Sequence, residues 1–68
     1  MVLNKRIVRY VIRDTVSGYY VGIDSCRHIF TLVYDKRAAY KFSSETNARR
    51  VIADEFGLDA ARYRIETA

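Results

Sequence analysis

Arginine and tyrosine are the residues of this chain whose types and spacing carry the most chemistry. Arg9 and Arg13 lie near one end, Arg62 and Arg64 near the other, and six tyrosines are spread along the chain. A guanidinium presents a planar fork of donors to a carboxylate or a phosphate, and a tyrosine ring adds a rigid amphipathic surface. On a shared face, Arg9, Arg13, Tyr20, Arg62 and Arg64 make a candidate partner-binding surface, either for the phosphates and bases of nucleic acid or for an acidic patch on a protein. A small sheet that only needs a solvated face uses the same residue types, so the pattern points to a surface before it points to a ligand.

The other reactive side chains are sparse. Cys26 and His28 set the single thiol and the single imidazole two residues apart. A thiolate nucleophile also needs an orienting group and a cleft, and structural zinc takes four ligands where Cys and His here supply two. Asp54 and Glu55 read as a solvated acidic patch. Gly18, Gly22 and Gly57 are dispersed, without the clustering of a phosphate-binding loop. The expectation is a non-enzymatic protein with no catalytic, cofactor or metal residues.

The chain that must position these groups has 68 residues, half of them apolar, with 29% charged and a net charge of +4. That length makes a single domain with a small core, and that balance is globular rather than disordered. One cysteine rules out an intramolecular disulfide framework and fits a reducing, cytoplasmic location. Neither a signal peptide nor a membrane-spanning run is recognisable, so no membrane partner is expected.

Residues 6–13 read as a first strand with Val8, Tyr10 and Ile12 inward and the arginines outward. Asp14 to Gly18 has turn chemistry, and a second strand follows over residues 19–23 with Tyr19, Val21 and Ile23 on one side. A turn at residues 24–27 leads to a third strand over residues 28–34. Asp35 then caps a single helical turn before a short extended piece, residues 40–42. The spacing of Ala48, Val51, Ile52 and Phe56 predicts a helix over residues 44–56, capped by Ser43 or Ser44 and stopped by Gly57, with Arg50 paired to Asp54 on its outer side. Strict alternation makes residues 62–66 a last strand, Tyr63 and Ile65 inward. The predicted fold is α+β: an antiparallel sheet of three or four strands with one helix packed on one face and the other face open. Tyr10, Tyr19 and Tyr63 are expected in the core, and a free sheet edge makes a homodimer plausible.

Tyr10-Val11-Ile12-Arg13, Gly18 to Gly22, Phe30-Thr31 and Asp35 to Glu45 running into Ala48 together resemble a loose class of short proteins encoded by phages, prophages and other mobile elements. The resemblance covers about two-thirds of the chain. It implies a small protein that binds a host or bacterial protein, as anti-CRISPR and other anti-defence inhibitors do, or alternatively one that binds nucleic acid. The arginine-rich composition departs from the acidity frequent in that class and argues against DNA mimicry.

Overall fold

Two aspartates set the hairpins. The β-branched run after Arg9 is extended over Tyr10–Asp14 (β1), and the Asp14 carboxylate then accepts the Val16 N–H at 3.0 Å and the Ser17 hydroxyl at 2.9 Å. Gly18 follows with φ 80°, a left-handed conformation that glycine adopts without a Cβ penalty. The chain reverses into Tyr20–Asp24 (β2). Asp24 repeats the device by accepting the N–H groups of Cys26 and Arg27 at 3.0 and 3.3 Å, and Ile29–Val33 (β3) returns alongside β2. Both turns are held by a side-chain oxygen bonded two or three residues on.

The computed structural model describes residues 8–68. The helix α1 (Glu45–Phe56) begins where Ser44, in extended conformation, accepts the Asn47 N–H at 3.1 Å. A 3-10 segment, Gly57–Arg62, kinked at Asp59, follows and leads into β4 (Tyr63–Thr67). The sheet order is β3-β2-β1-β4, and every neighbour is antiparallel. The return through α1 therefore delivers the last strand to the open side of the first.

Side chains Ile12, Val21, Phe42, Ala48 and Ile52 form the buried core, with Tyr10, Phe30, Val51, Phe56, Tyr63 and Ile65 packed around it. These are the inward set of the sheet and the apolar stripe of α1. Burying each large aliphatic side chain contributes roughly 1.5–3 kcal/mol. The rings of Phe56 and Tyr63 stack 4.4 Å apart and seal the end where α1 turns toward β4.

Beyond Arg13 and Tyr20, β1 and β2 part company. The Val21 carbonyl accepts the Tyr40 N–H at 3.0 Å, and Tyr10 exchanges two backbone bonds with Phe42, at 2.9 and 2.8 Å. The extended piece at residues 40–42 thus occupies the gap between the strands, and Phe42 enters the core through it. A 3-10 turn, Lys36–Ala38, capped by Asp35, leads into this wedge on the other side of the sheet. Gly22 admits the turn: a Cβ there would stand 2.7 Å from a Val33 methyl and 3.4 Å from the Ala38 carbonyl oxygen.

Several expectations change accordingly. Val11, which alternation sets beside Arg9 and Arg13 on the outward face, is fully buried, because the 3-10 turn lies on that side, with Lys36 reaching Glu66 opposite Val11 and the Ala38 carbonyl beside Gly22. Val8 and Tyr19, both expected inward, are exposed, and the Tyr19 ring meets that of Tyr34 edge-on, 5.8 Å between centroids. The first strand begins at Tyr10, and its predicted start at residues 6–7 lies outside the described residues. The helix α1 stops before Gly57 as expected, but Gly57, with φ −40° and ψ −50°, is not a left-handed cap; the break falls at Phe56, with φ −126° and ψ 20°. On the helix surface Glu45 pairs with Arg49 at 2.7 Å, the pair four residues apart that the structure forms in place of Arg50 with Asp54.

Candidate functional site: an arginine and tyrosine row across three strands

Antiparallel register places Arg13 of β1 directly opposite Tyr20 of β2 and directly opposite Arg64 of β4. Residues opposite one another share a face, so the three side chains form a row across three strands on the side of the sheet away from α1. The Arg13 guanidinium carbon lies 5.9 Å from the centre of the Tyr20 ring, within cation–π range. Two cations set side by side repel, and Glu66 relieves that repulsion: its carboxylate receives Arg13 at 3.4 Å and Lys36 at 3.7 Å. Among the described residues, Arg64 has no carboxylate within ion-pair distance.

The sequence-predicted set divides. Arg13, Tyr20 and Arg64 come together as the alternation required. Arg9 is exposed just before β1, where its carbonyl accepts the Ala68 N–H at 2.8 Å, beside the end of β4. Arg62 is removed from the set. It belongs to the 3-10 segment rather than to β4, and its Nε and Nη2 donate to the two Asp14 carboxylate oxygens at 2.9 and 2.6 Å. Asp14 is completely buried, so this guanidinium is engaged in neutralising an internal charge.

Electrostatics follow the same division. The Arg62 hydrogen bond, aided by the Val16 N–H and the Ser17 hydroxyl, holds the Asp14 carboxyl well below the usual carboxylate range and overrides the opposing effect of burial. The same contact raises Arg62 above its ordinary value. Burial raises Tyr63. Asp35, at the surface, is lowered by the Arg37 backbone N–H and then by the Arg37 guanidinium.

Sequence reasoning missed two members of the face. Glu66 was legible, since it stands two residues after Arg64 in a strict alternation and so shares its side. Lys36 was not, because it reaches Glu66 only once the segment after β3 has folded back over the sheet. Cys26 is exposed in the β2–β3 turn, and His28 leaves that turn with φ 56°. Their placement serves the reversal of the chain.

No protein-family model, no curated protein and no solved structure matches the chain. Among the described residues, no helix is long and apolar enough to cross a membrane.

Proposed function

We propose that this chain is a non-enzymatic binding protein that engages a protein partner through the face formed by Arg13, Tyr20 and Arg64 with Lys36 and Glu66. The observation that carries this reading is the seat of Glu66 between Arg13 and Lys36. A phosphate backbone is uniformly negative, so a carboxylate fixed among the cations works against it. A protein surface carries both signs, and an interleaved face gives complementarity and register there. Arginine and tyrosine are also the residue types that anchor protein interfaces. The resemblance to short phage and mobile-element proteins makes a bacterial host protein, including a component of a defence system such as CRISPR, the first class of partner to try.

The test compares capture from a bacterial lysate by the native protein, by Arg13→Glu/Arg64→Glu, and by Arg50→Glu on the helix as a control. Under this reading a partner is retained by the native protein and the control and lost from the double variant. Equal capture by all three removes the face from consideration.

Direct nucleic-acid binding is the second reading, favoured by the adjacency of Arg13 and Arg64 beside the Tyr20 ring. Titration of fluorescent single- and double-stranded oligonucleotides at low and moderate salt decides it. Affinity that falls steeply with salt and disappears in the double variant would put nucleic acid in place of the protein partner.

A further inference from the structure

We propose that two copies of this chain associate through the outer edge of β3, pairing Ile29–Val33 antiparallel to itself about a two-fold axis at Thr31. Among the described residues the sheet order leaves β3 at one edge and β4 at the other, and the two edges differ in kind. Along β4, Arg64 and Glu66 put charge on the strand, the usual protection of an edge. Along β3, Ile-Phe-Thr-Leu-Val has no charge, no glycine and no proline, and Ile29 and Leu32 are exposed. Such an edge presents a row of backbone donors and acceptors ready for another strand.

Backbone geometry says which residues do so. The Val21 carbonyl points toward β1, where it accepts the Tyr40 N–H. In an antiparallel pair the bonding direction alternates, so Leu32, opposite Val21, turns its own N–H and C=O away from β2, and Phe30 does the same two residues earlier. Two-fold pairing about Thr31 sets Phe30 of one copy opposite Leu32 of the other, twice. Each outward donor then meets an outward acceptor, giving four backbone hydrogen bonds with none left over between them. Ile29 falls opposite Val33, and Thr31 opposite its counterpart.

The charges beyond the strand ends favour a second copy over an unrelated strand. Arg27, in the turn before β3, and Asp35, just after it, stand two residues beyond the strand ends, so antiparallel pairing brings Arg27 of each copy toward Asp35 of the other. Their side chains are 77% and 49% exposed, and each already holds an ion pair in its own chain, Arg27 with Asp24 at 3.7 Å and Asp35 with Arg37 at 3.2 Å, so association would join these local pairs into one alternating network. Opposite signs therefore flank an uncharged strand in an order that is its own complement. The joined sheets carry both Arg13, Tyr20 and Arg64 rows on the same side, which makes the dimer a bivalent version of the single face.

Cross-linking tests the register. Thr31 is exposed, and facing Thr31 residues in a non-hydrogen-bonded antiparallel pair have Cα atoms about 4.5 Å apart, within disulfide reach. With Cys26→Ser as background, Thr31→Cys is expected to oxidise to a covalent dimer, and Ile29→Cys mixed with Val33→Cys to cross-link while neither does alone. Asp54→Cys on the helix should form no covalent dimer. Sedimentation equilibrium of the native protein should show a concentration-dependent dimer that Leu32→Lys dissociates. A native chain that remains monomeric at millimolar concentration overturns the proposal, as does Thr31→Cys cross-linking no faster than Asp54→Cys. If Leu32→Lys abolishes capture of another protein by a chain that is monomeric throughout, the edge serves a foreign strand and the proposal also fails.

Discussion

Arg62 grips Asp14 from 48 positions away, with both donors of one guanidinium edge on both oxygens of one carboxylate, at 2.9 and 2.6 Å. The Arg62 carbonyl in turn accepts both the backbone N–H and the hydroxyl of Thr15 at 2.7 Å. Together these bonds fasten the entry of β4 to the exit of β1. They also organise the first hairpin, since the same carboxylate closes the turn through Val16 and Ser17. One buried acid is thus shared by a local turn and by the longest-range strand pairing in the chain.

Asp14→Asn should lower stability by about 2 kcal/mol at neutral pH, the scale of a hydrogen bond to a charged group, with a fall in Tm of roughly 10 °C for a domain this small. The pH dependence has a definite sign. The folded-state pKa of Asp14 is depressed, so on acidification the unfolded chain takes up the proton first, near its ordinary value of about 3.9. Its stabilisation is complete above about pH 5 and is lost progressively as pH falls below about 4. Thermal melts from pH 7 to pH 3 should show this decline in the native protein and a flatter profile in Asp14→Asn.

Gly22→Ala should destabilise by about 1–3 kcal/mol, because the new methyl is driven into Val33, whose β-branched side chain is stiff at χ1. Gly22→Ala combined with Val33→Ala should lose less than the two single changes together. Urea unfolding of the four proteins measures that coupling, and strict additivity would show that Val33 is not what the methyl meets.

The Lys41 ammonium donates to the carbonyls of Lys36, Arg37 and Ala39 at 3.2, 3.2 and 2.7 Å, holding the turn that lies over Val11. Lys41→Met keeps the length of the side chain and removes the donors. Amide exchange at Ala38, Ala39 and Tyr40 should quicken by about tenfold, while exchange within the β1–β4 ladder changes little. Uniform acceleration across the sheet would mean that the turn and the sheet open as one unit.

Ser44→Ala should cost about 1 kcal/mol through loss of the cap to Asn47, and Ser44→Asp should retain it. Denaturant midpoints at neutral pH separate the two variants, and equal losses would place the effect elsewhere than the cap.

Local chemistry made much of this fold readable. Asp14, Asp24, Asp35 and Ser44 each bond a backbone N–H within three residues, and contacts that short are encoded in the neighbouring residues alone. The spacing of Ala48, Val51, Ile52 and Phe56 likewise determined which side of α1 is buried. Alternation in two strands placed Arg13 and Arg64 on one face, although their direct opposition needed the register of β1 with β4. What alternation could not reveal is which charged residue the interior would claim. Arg62 follows the same sequence pattern as Arg64, yet it lies one residue before β4 begins and turns to a carboxylate contributed by another strand. Nor could it show that Val11 would be covered, since that depends on the segment after β3 passing over the sheet and wedging between β1 and β2. The sequence by itself determined the strands, the helix α1 and the caps that Asp35 and Ser44 supply. Only the tertiary structure decided which cations remain at the surface, because a buried carboxylate must be paired and the nearest guanidinium in space is 48 residues away along the chain.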